Sequence, residues 1–382
     1  MKKTILCVII VLLLIPFKVS AAEYEFAAGD DMEIYPTEEM DGLMNGLPEE
    51  VRGEIEEFIS AKNDEERYSS LKDKLDVYYW LEYIAGVIRD ILLPTAGSCA
   101  ALLCVILVSS VLTTTLGIRQ SEGLRNICNL VLSLVMAVSV AEIAYSAINT
   151  ATEYIARICT MMTSMLPVME AIMLTGGSVS QSQVNGTALM LYITVTENVT
   201  RFVIVPLASA LFALTTTSGV FSGVNISSLI SGVRRLLMTV FGFFLMIFSF
   251  VLGIQSSLAR SADTLGMKTV RFALGSYVPV VGGAVSEALS TISGGLSLIR
   301  KTTGAVGIVI ILLIVLPTLL KLFLSRMSLV ICKTVSDILG CADASRILGD
   351  ADSILSVFLG LAVMSAIFFI FAVTLFMNSG LS

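Results

Sequence analysis

From Ile91 almost to the C-terminus, long apolar runs follow one another with short polar breaks between them. The runs are continuous rather than alternating residue by residue, so the period-two pattern of a lipid-facing β-barrel is missing and helices are the spanning element. About 20 apolar residues suffice for one helical crossing. Runs of that order cover residues 92–117, 127–148, 203–217 with a more polar extension upstream from Ala188, 236–254, 306–324 and 354–376. Two further segments are ambiguous. Residues 158–174 are short, rich in Met, Ser and Thr, and carry Glu170; residues 272–298 are dense in glycine and contain Pro279 and Glu287. The pattern predicts an all-α, polytopic helical membrane protein with 6 to 8 transmembrane helices in residues 91–378 and a short tail at 379–382.

The first residues belong to a different element. Lys2 and Lys3 precede an apolar run over residues 5–17, and Ser20, Ala21 and Ala22 supply small residues at a cleavage site, so residues 1–22 read as a secretory signal peptide. The chain beyond Ala22 is then extracytoplasmic. Residues 23–46 form an acidic leader interrupted by Pro36. Pro48 opens a helix whose first turns hold Glu49, Glu50 and Glu54 at the positive end of the dipole, with Val51, Ile55, Phe58 and Ile59 on one apolar face. A second helix runs from Glu65 to Ile91, and Tyr78, Tyr79, Trp80 and Tyr83 fall where rings favour the headgroup zone. Residues 23–90 are thus expected to be an acidic, helical extracytoplasmic region.

Composition sharpens this picture. The mean hydropathy is +0.88, and only 14% of residues are charged, against roughly 25% in soluble domains. Residues 23–90 carry 20 Asp or Glu against 6 Lys or Arg, whereas residues 91–382 carry 15 basic and 11 acidic residues. The acidic region repels phosphate backbones, so nucleic acid is not an expected partner; membrane lipid is. Placing Lys and Arg on alternating sides from an exterior start gives nine inside and five outside, Arg157 among the latter, for eight crossings, against seven and seven if residues 272–298 re-enter. The positive-inside rule therefore favours eight crossings and an exterior C-terminus.

No histidine occurs in the chain. Serine and cysteine triads lose their usual base, and histidine metal motifs are impossible. No phosphate-binding loop, dinucleotide fingerprint or kinase motif is present. Asp263, Asp337, Asp343, Asp350 and Asp352 read as loop residues, which argues against an intramembrane aspartyl protease. No enzymatic activity, metal or cofactor is expected. None of the seven cysteines lies in residues 23–90, so that region has no disulfide framework; Cys332 and Cys341 read as members of a polar loop.

The candidate functional residues are the ionisable groups inside or bordering apolar runs: Glu142, Glu170, Glu197, Arg201 and Glu287. Such groups face a bundle interior or a wet cavity and are functional candidates by default. Glu197 and Arg201 stand four apart with the acid first, the spacing of a helical ion pair. They either line a polar path or neutralise one another. The second candidate is the stretch marked by Gly275, Pro279, Gly282, Gly283, Gly294 and Gly295, which suits either close helix packing or a broken helix shielded from lipid. Pro167, Glu170, Gly176 and Gly177 weakly echo Pro279, Glu287, Gly294 and Gly295, as corresponding transporter halves do.

The run GSYVPVVGGAVSEAL at residues 275–289, the stretch SADTLGMKTVR at residues 261–271 and the layout of signal, acidic region and spans resemble the stage III sporulation protein AE family of endospore-forming Firmicutes. The resemblance implies a multi-pass protein of the mother-cell membrane around the forespore. It also implies membership in a secretion-like complex with other stage III sporulation proteins, including a cytoplasmic ATPase and ring-forming membrane proteins. Within it the polytopic subunit is expected to be permease-like or an export gate. A structural scaffold and an independent ion-coupled secondary transporter are the alternatives. The family brings no catalytic or binding residues to carry over.

Overall fold

The computed structural model describes residues 77–119, 122–175, 177–220, 227–277 and 282–378. The signal peptide, the acidic leader, the helix opened by Pro48 and the tail at 379–382 lie outside the described residues.

Every regular element among the described residues is helical: α1 (Val77–Arg119), α2 (Glu122–Thr175), α3 (Val179–Val199), α4 (Val205–Val220), α5 (Ser227–Tyr277), α6 (Gly282–Ile338) and α7 (Ala342–Met377). A single π turn, Thr200–Ile204, joins α3 to α4 without a break. Among the described residues, six helices are long and apolar enough to cross a membrane: Tyr83–Leu112, Leu130–Thr175, Val179–Thr215, Ser227–Ile254, Ile299–Ile338 and Ala342–Met377. The fold is that of a polytopic helical membrane protein.

The two ambiguous segments explain why six is the lower end of the expected range. Residues 158–174 are not a separate crossing, because α2 runs unbroken through them for 54 residues. Nothing between Asn149 and Arg157 breaks a helix: there is no Gly or Pro, and Glu153 and Arg157 form an acid-first pair four residues apart at 3.7 Å. Arg157 is therefore a helix residue, not part of an exterior loop. The segment at 272–298 is not one helix either. Its start closes α5 and its end opens α6.

The core centres on α7. From Ile354 onward this helix is apolar on nearly all sides, as a buried helix must be, and α7 packs against α6, α5, α2 and α4. Phe358, Phe368, Phe369 and Phe376 are fully buried. Tyr192 of α3 stacks on Phe368 with ring centroids 3.5 Å apart, and Phe248 of α5 meets the edge of Tyr192 at 5.3 Å. Two tight turns set the antiparallel pairs. Gly340 between α6 and α7 has φ of 75°, and Gly177 between α2 and α3 has φ of 76°, conformations that favour glycine. At the first of these the Ser336 hydroxyl donates to the Cys341 carbonyl at 2.8 Å.

By contrast, α1 runs parallel to α6. The Tyr83 hydroxyl donates to the Leu313 carbonyl at 3.3 Å, and sixteen residues on, the Cys99 and Cys332 sulfurs lie 3.7 Å apart. Cys332 is thus a buried helix residue, since α6 continues through its polar end to Ile338. Likewise Asp263, Asp337, Asp343, Asp350 and Asp352 lie within helices rather than loops.

Candidate functional site

Most exposed positions are what lipid would meet, among them Leu93 and Val111 of α1, Val138 of α2, and Phe243, Met246 and Phe250 of α5. The exposed face of α2 departs from this. Through Ile127, Val131, Val135 and Val138 it is apolar. From there on, Glu142, Ser146, Asn149, Glu153, Arg157, Thr160 and Thr163 follow at three- and four-residue steps, every one of them exposed. Its neighbour α3 continues this surface with exposed Gln183, Thr187, Thr194, Glu197 and Asn198, and Arg201 follows in the π turn, although Met190 and Leu191 between Thr187 and Thr194, and Phe202 beside Arg201, are exposed apolar side chains on it.

The charged part of this face lies halfway along the apolar lengths that carry it. Glu153 and Glu197 fall at the middle of the apolar lengths Leu130–Thr175 and Val179–Thr215. Tyr154, next to Glu153, donates its hydroxyl to the Ala362 carbonyl of α7 at 3.0 Å. Thr196 and Val199, flanking Glu197, share a crevice with Phe241 and Leu245 of α5 and Leu361 of α7. These contacts are at the centres of Ser227–Ile254 and Ala342–Met377. An ionised group at the centre of a bilayer costs about 2.5–3.5 kcal/mol on insertion scales. A face holding several of them is turned toward protein or water, not lipid.

Glu197 and Arg201 are both exposed and form none of the ion pairs found among the described residues. The π turn accounts for this: with Val205 N–H donating to the Thr200 carbonyl, five residues back, the four-residue spacing no longer stacks the two side chains. The wide turn precedes Pro206, which has no N–H for the Phe202 carbonyl. Arg201 instead lies over the Phe202 ring at 5.7 Å.

Glu142 is exposed on the same face of α2. Glu170 is half-buried at the other end of α2, its carboxylate over the Gly186 backbone, where a Cβ would collide with Oε1. Ser182 and Asn185 of α3 are buried beside it, and the Ser182 hydroxyl donates to the Glu170 carbonyl at 3.4 Å. Glu287, Gly282, Gly283 and Gly294 lie on the α6 helix, and Gly275 on α5. Pro279 is outside the described residues. A Cβ on Gly295 would meet nothing within 4 Å, so close packing falls to other glycines, Gly304 against Met377 and Gly307 against Met165.

Two polar clusters mark the ends of the bundle. At the α2–α3 turn, Asp263 of α5 accepts the Ser180 and Gln181 N–H groups at 3.2 and 3.1 Å. At the α6–α7 end, Arg326 grips Asp352 through two hydrogen bonds of 2.7 and 3.2 Å, and the Ser227 hydroxyl donates to Asp350 at 2.9 Å.

Asn149, Glu153 and Arg157 escape the sequence reading because they fall between the runs 127–148 and 158–174, where it places a loop, and Thr160 because it falls just inside the second run. The helical spacing of polar residues from Glu142 to Thr163 was the available signal.

A family model described as stage III sporulation protein AE matches residues 65–380. The chain is 22% identical over 341 residues to the stage III sporulation protein AE of Bacillus subtilis (strain 168), covering 87% of this chain and 81% of that protein. No solved structure matches.

Proposed function

Because this chain belongs to the stage III sporulation protein AE family, we propose that it is the permease-like or export-gate subunit of a sporulation-specific, secretion-like complex in the mother-cell membrane around the forespore. Family membership and the membrane-length helices make it a multi-pass membrane protein of sporulation. The observation that carries the finer reading is the polar face of α2 and α3, with Glu153, Arg157, Glu197 and Arg201 exposed near the middle of long apolar helices. A surface of hydroxyl, amide and charged groups through an apolar bundle supports a route for polar cargo. The chain itself makes and breaks no bonds. Other stage III sporulation proteins complete the assembly, a cytoplasmic ATPase supplying energy and ring-forming membrane proteins extending the conduit, while the region before α1 faces away from the mother-cell cytoplasm.

The test uses a sporulating host carrying this chain in place of its own copy. Single cysteines at Ser146, Thr160 and Thr194, in a background without native cysteines, are exposed to a membrane-impermeant maleimide. Labelling there, but not at Phe243, together with lost forespore development and intact assembly in Glu142→Gln/Glu153→Gln/Glu197→Gln, is expected. Normal sporulation of that triple variant with no labelling leaves the scaffold reading and removes the route.

A further inference from the structure

The four charges of this face form a pattern with its own consequence. Helices α2 and α3 are antiparallel, and their register is set where Glu170 lies over Gly186 and where Ser182 bonds to the Glu170 carbonyl. Counting back from that contact brings Arg157 level with Glu197 and Glu153 level with Arg201. The charges thus occupy the corners of a square with alternating sign, and none of the corners is buried. Glu153 and Arg157 side chains are 67% and 48% exposed even though they pair.

Such a square is complementary to itself under one particular symmetry. A half-turn about an axis along the membrane normal keeps every residue at its height and lays α2 of one copy opposite α3 of the other. Arg157 then faces Glu197, and Glu153 faces Arg201, twice over. Every opposition is attractive. Copies inserted by the same route share one orientation in the bilayer, so this is the axis available to a pair. A half-turn about an axis lying in the membrane would invert one copy.

We propose that the polar face of α2 and α3 docks on the same face of a second copy of this chain, with the charged square as the contact halfway along it. This rests on the route reading for its setting and deepens it: the route is enclosed between two copies, closed where the squares meet and polar above and below. Charge complementarity selects the second copy over an unrelated subunit, which would have to present the same alternating square by coincidence.

The experiment is cysteine cross-linking of the full chain in native membranes. With native cysteines removed, chains carrying Thr160→Cys on α2 and chains carrying Thr194→Cys on α3, which the register places level with each other, are co-expressed and oxidised with copper phenanthroline. A covalent dimer of the two chains, and none when Phe243→Cys or Val108→Cys replaces either of them, is expected. Absence of the mixed dimer, or equal yield at the lipid-facing controls, overturns the proposal.

Charge exchange provides the second arm, read in the cysteine background that gives dimer. Glu153→Arg/Glu197→Arg makes the square wholly positive, and Arg157→Glu/Arg201→Glu makes it wholly negative. Each variant alone should lose cross-linked dimer at least tenfold, and co-expression of the two should restore it as the mixed species. Failure of the mixture to form dimer overturns the pairing. Cysteines that label with the maleimide yet never cross-link leave the route standing without the second copy; cross-linking with normal sporulation of the triple Gln variant does the reverse.

Discussion

The hydroxyl of Tyr154 on α2 donates to the main-chain carbonyl of Ala362 on α7 at 3.0 Å, and the Ser365 hydroxyl lies 3.1 Å from it. Tyr154 is fully buried, so this contact pins the longest described apolar length to the central helix and fixes the height of Glu153 beside it. Tyr154→Phe should keep the packing and lose about 0.6–1.7 kcal/mol, the range of interhelical hydrogen bonds in membranes. Tyr154→Ala should lose about 3–5 kcal/mol, as large aromatic truncations do. Unfolding in detergent measures both, and equal losses would show that the hydrogen bond rather than ring burial dominates.

Asp263 caps a helix to which it does not belong. The residue preceding α3, Ser178, makes no side-chain capping bond, and the Asp263 carboxylate of α5 accepts the Ser180 and Gln181 N–H groups in its stead. The charge also meets the positive end of the α3 dipole. Asp263→Ala should destabilise the chain by about 0.5–2 kcal/mol, with Asp263→Asn losing less because one acceptor oxygen persists. Hydrogen exchange confined to the start of α3 distinguishes this from a global effect. Asp263 also sits in the stretch at residues 261–271 that carries the family resemblance, which gives that stretch a structural role.

How much of this was legible in the sequence depended on what each residue's signal was. Apolar length announced the helical class and the six spans, because hydrocarbon thickness acts on every residue of a run alike. Continuity across Glu153 and Arg157 was not legible, since two charges in an apolar pattern look like a loop whether the helix ends or merely turns a polar face outward. Glu142, Glu197 and Arg201 were identified singly from their lipid cost; their common face required the α2–α3 register, which the Glu170–Gly186 contact sets. The lost stacking of Glu197 and Arg201 could not be read from spacing, because the π turn depends on how Pro206 is accommodated.

Arg326 and Asp352 are joined by two hydrogen bonds, and each side chain is 19% exposed. Planar two-point pairing is stronger than a single ionic contact. Removing either partner should cost about 1–2 kcal/mol, below the upper figures for hydrogen bonds to charged groups because water still reaches the pair. Arg326→Met and Asp352→Asn combined should cost less than the separate losses added together. A double-mutant cycle in detergent checks this, and strict additivity would mean the pair contributes nothing as a pair.

Two glycines of α6 should respond oppositely to substitution. Gly307 faces Met165 of α2 and Val373 of α7 so closely that a Cβ would overlap the Met165 side chain, while Gly295 has open space. Gly307→Leu should destabilise by about 1–3 kcal/mol through overpacking. Gly295→Ala should be neutral or stabilise by up to about 1 kcal/mol through helix propensity. Thermal unfolding of the two variants side by side tests the assignment, and a large loss at Gly295 would indicate that its open side is covered in the assembly.

The parallel packing of α1 on α6 rests on the neighbouring thiols of Cys99 and Cys332, 3.7 Å apart, together with the Tyr83–Leu313 hydrogen bond. A thiol–thiol contact at that range brings the two sulfurs within reach of a covalent bond after a small side-chain adjustment. In a chain retaining only these two cysteines, oxidation in the membrane should join α1 to α6 within one molecule. A protease site engineered between the helices makes the link visible as fragments that separate only under reduction. Cys99→Ser should abolish the link and leave the fold unchanged, since a small half-buried side chain is replaced by one of similar size. Fragments that separate without reductant would place α1 elsewhere on the bundle, and the height assigned to its apolar run relative to α6 would have to move with it.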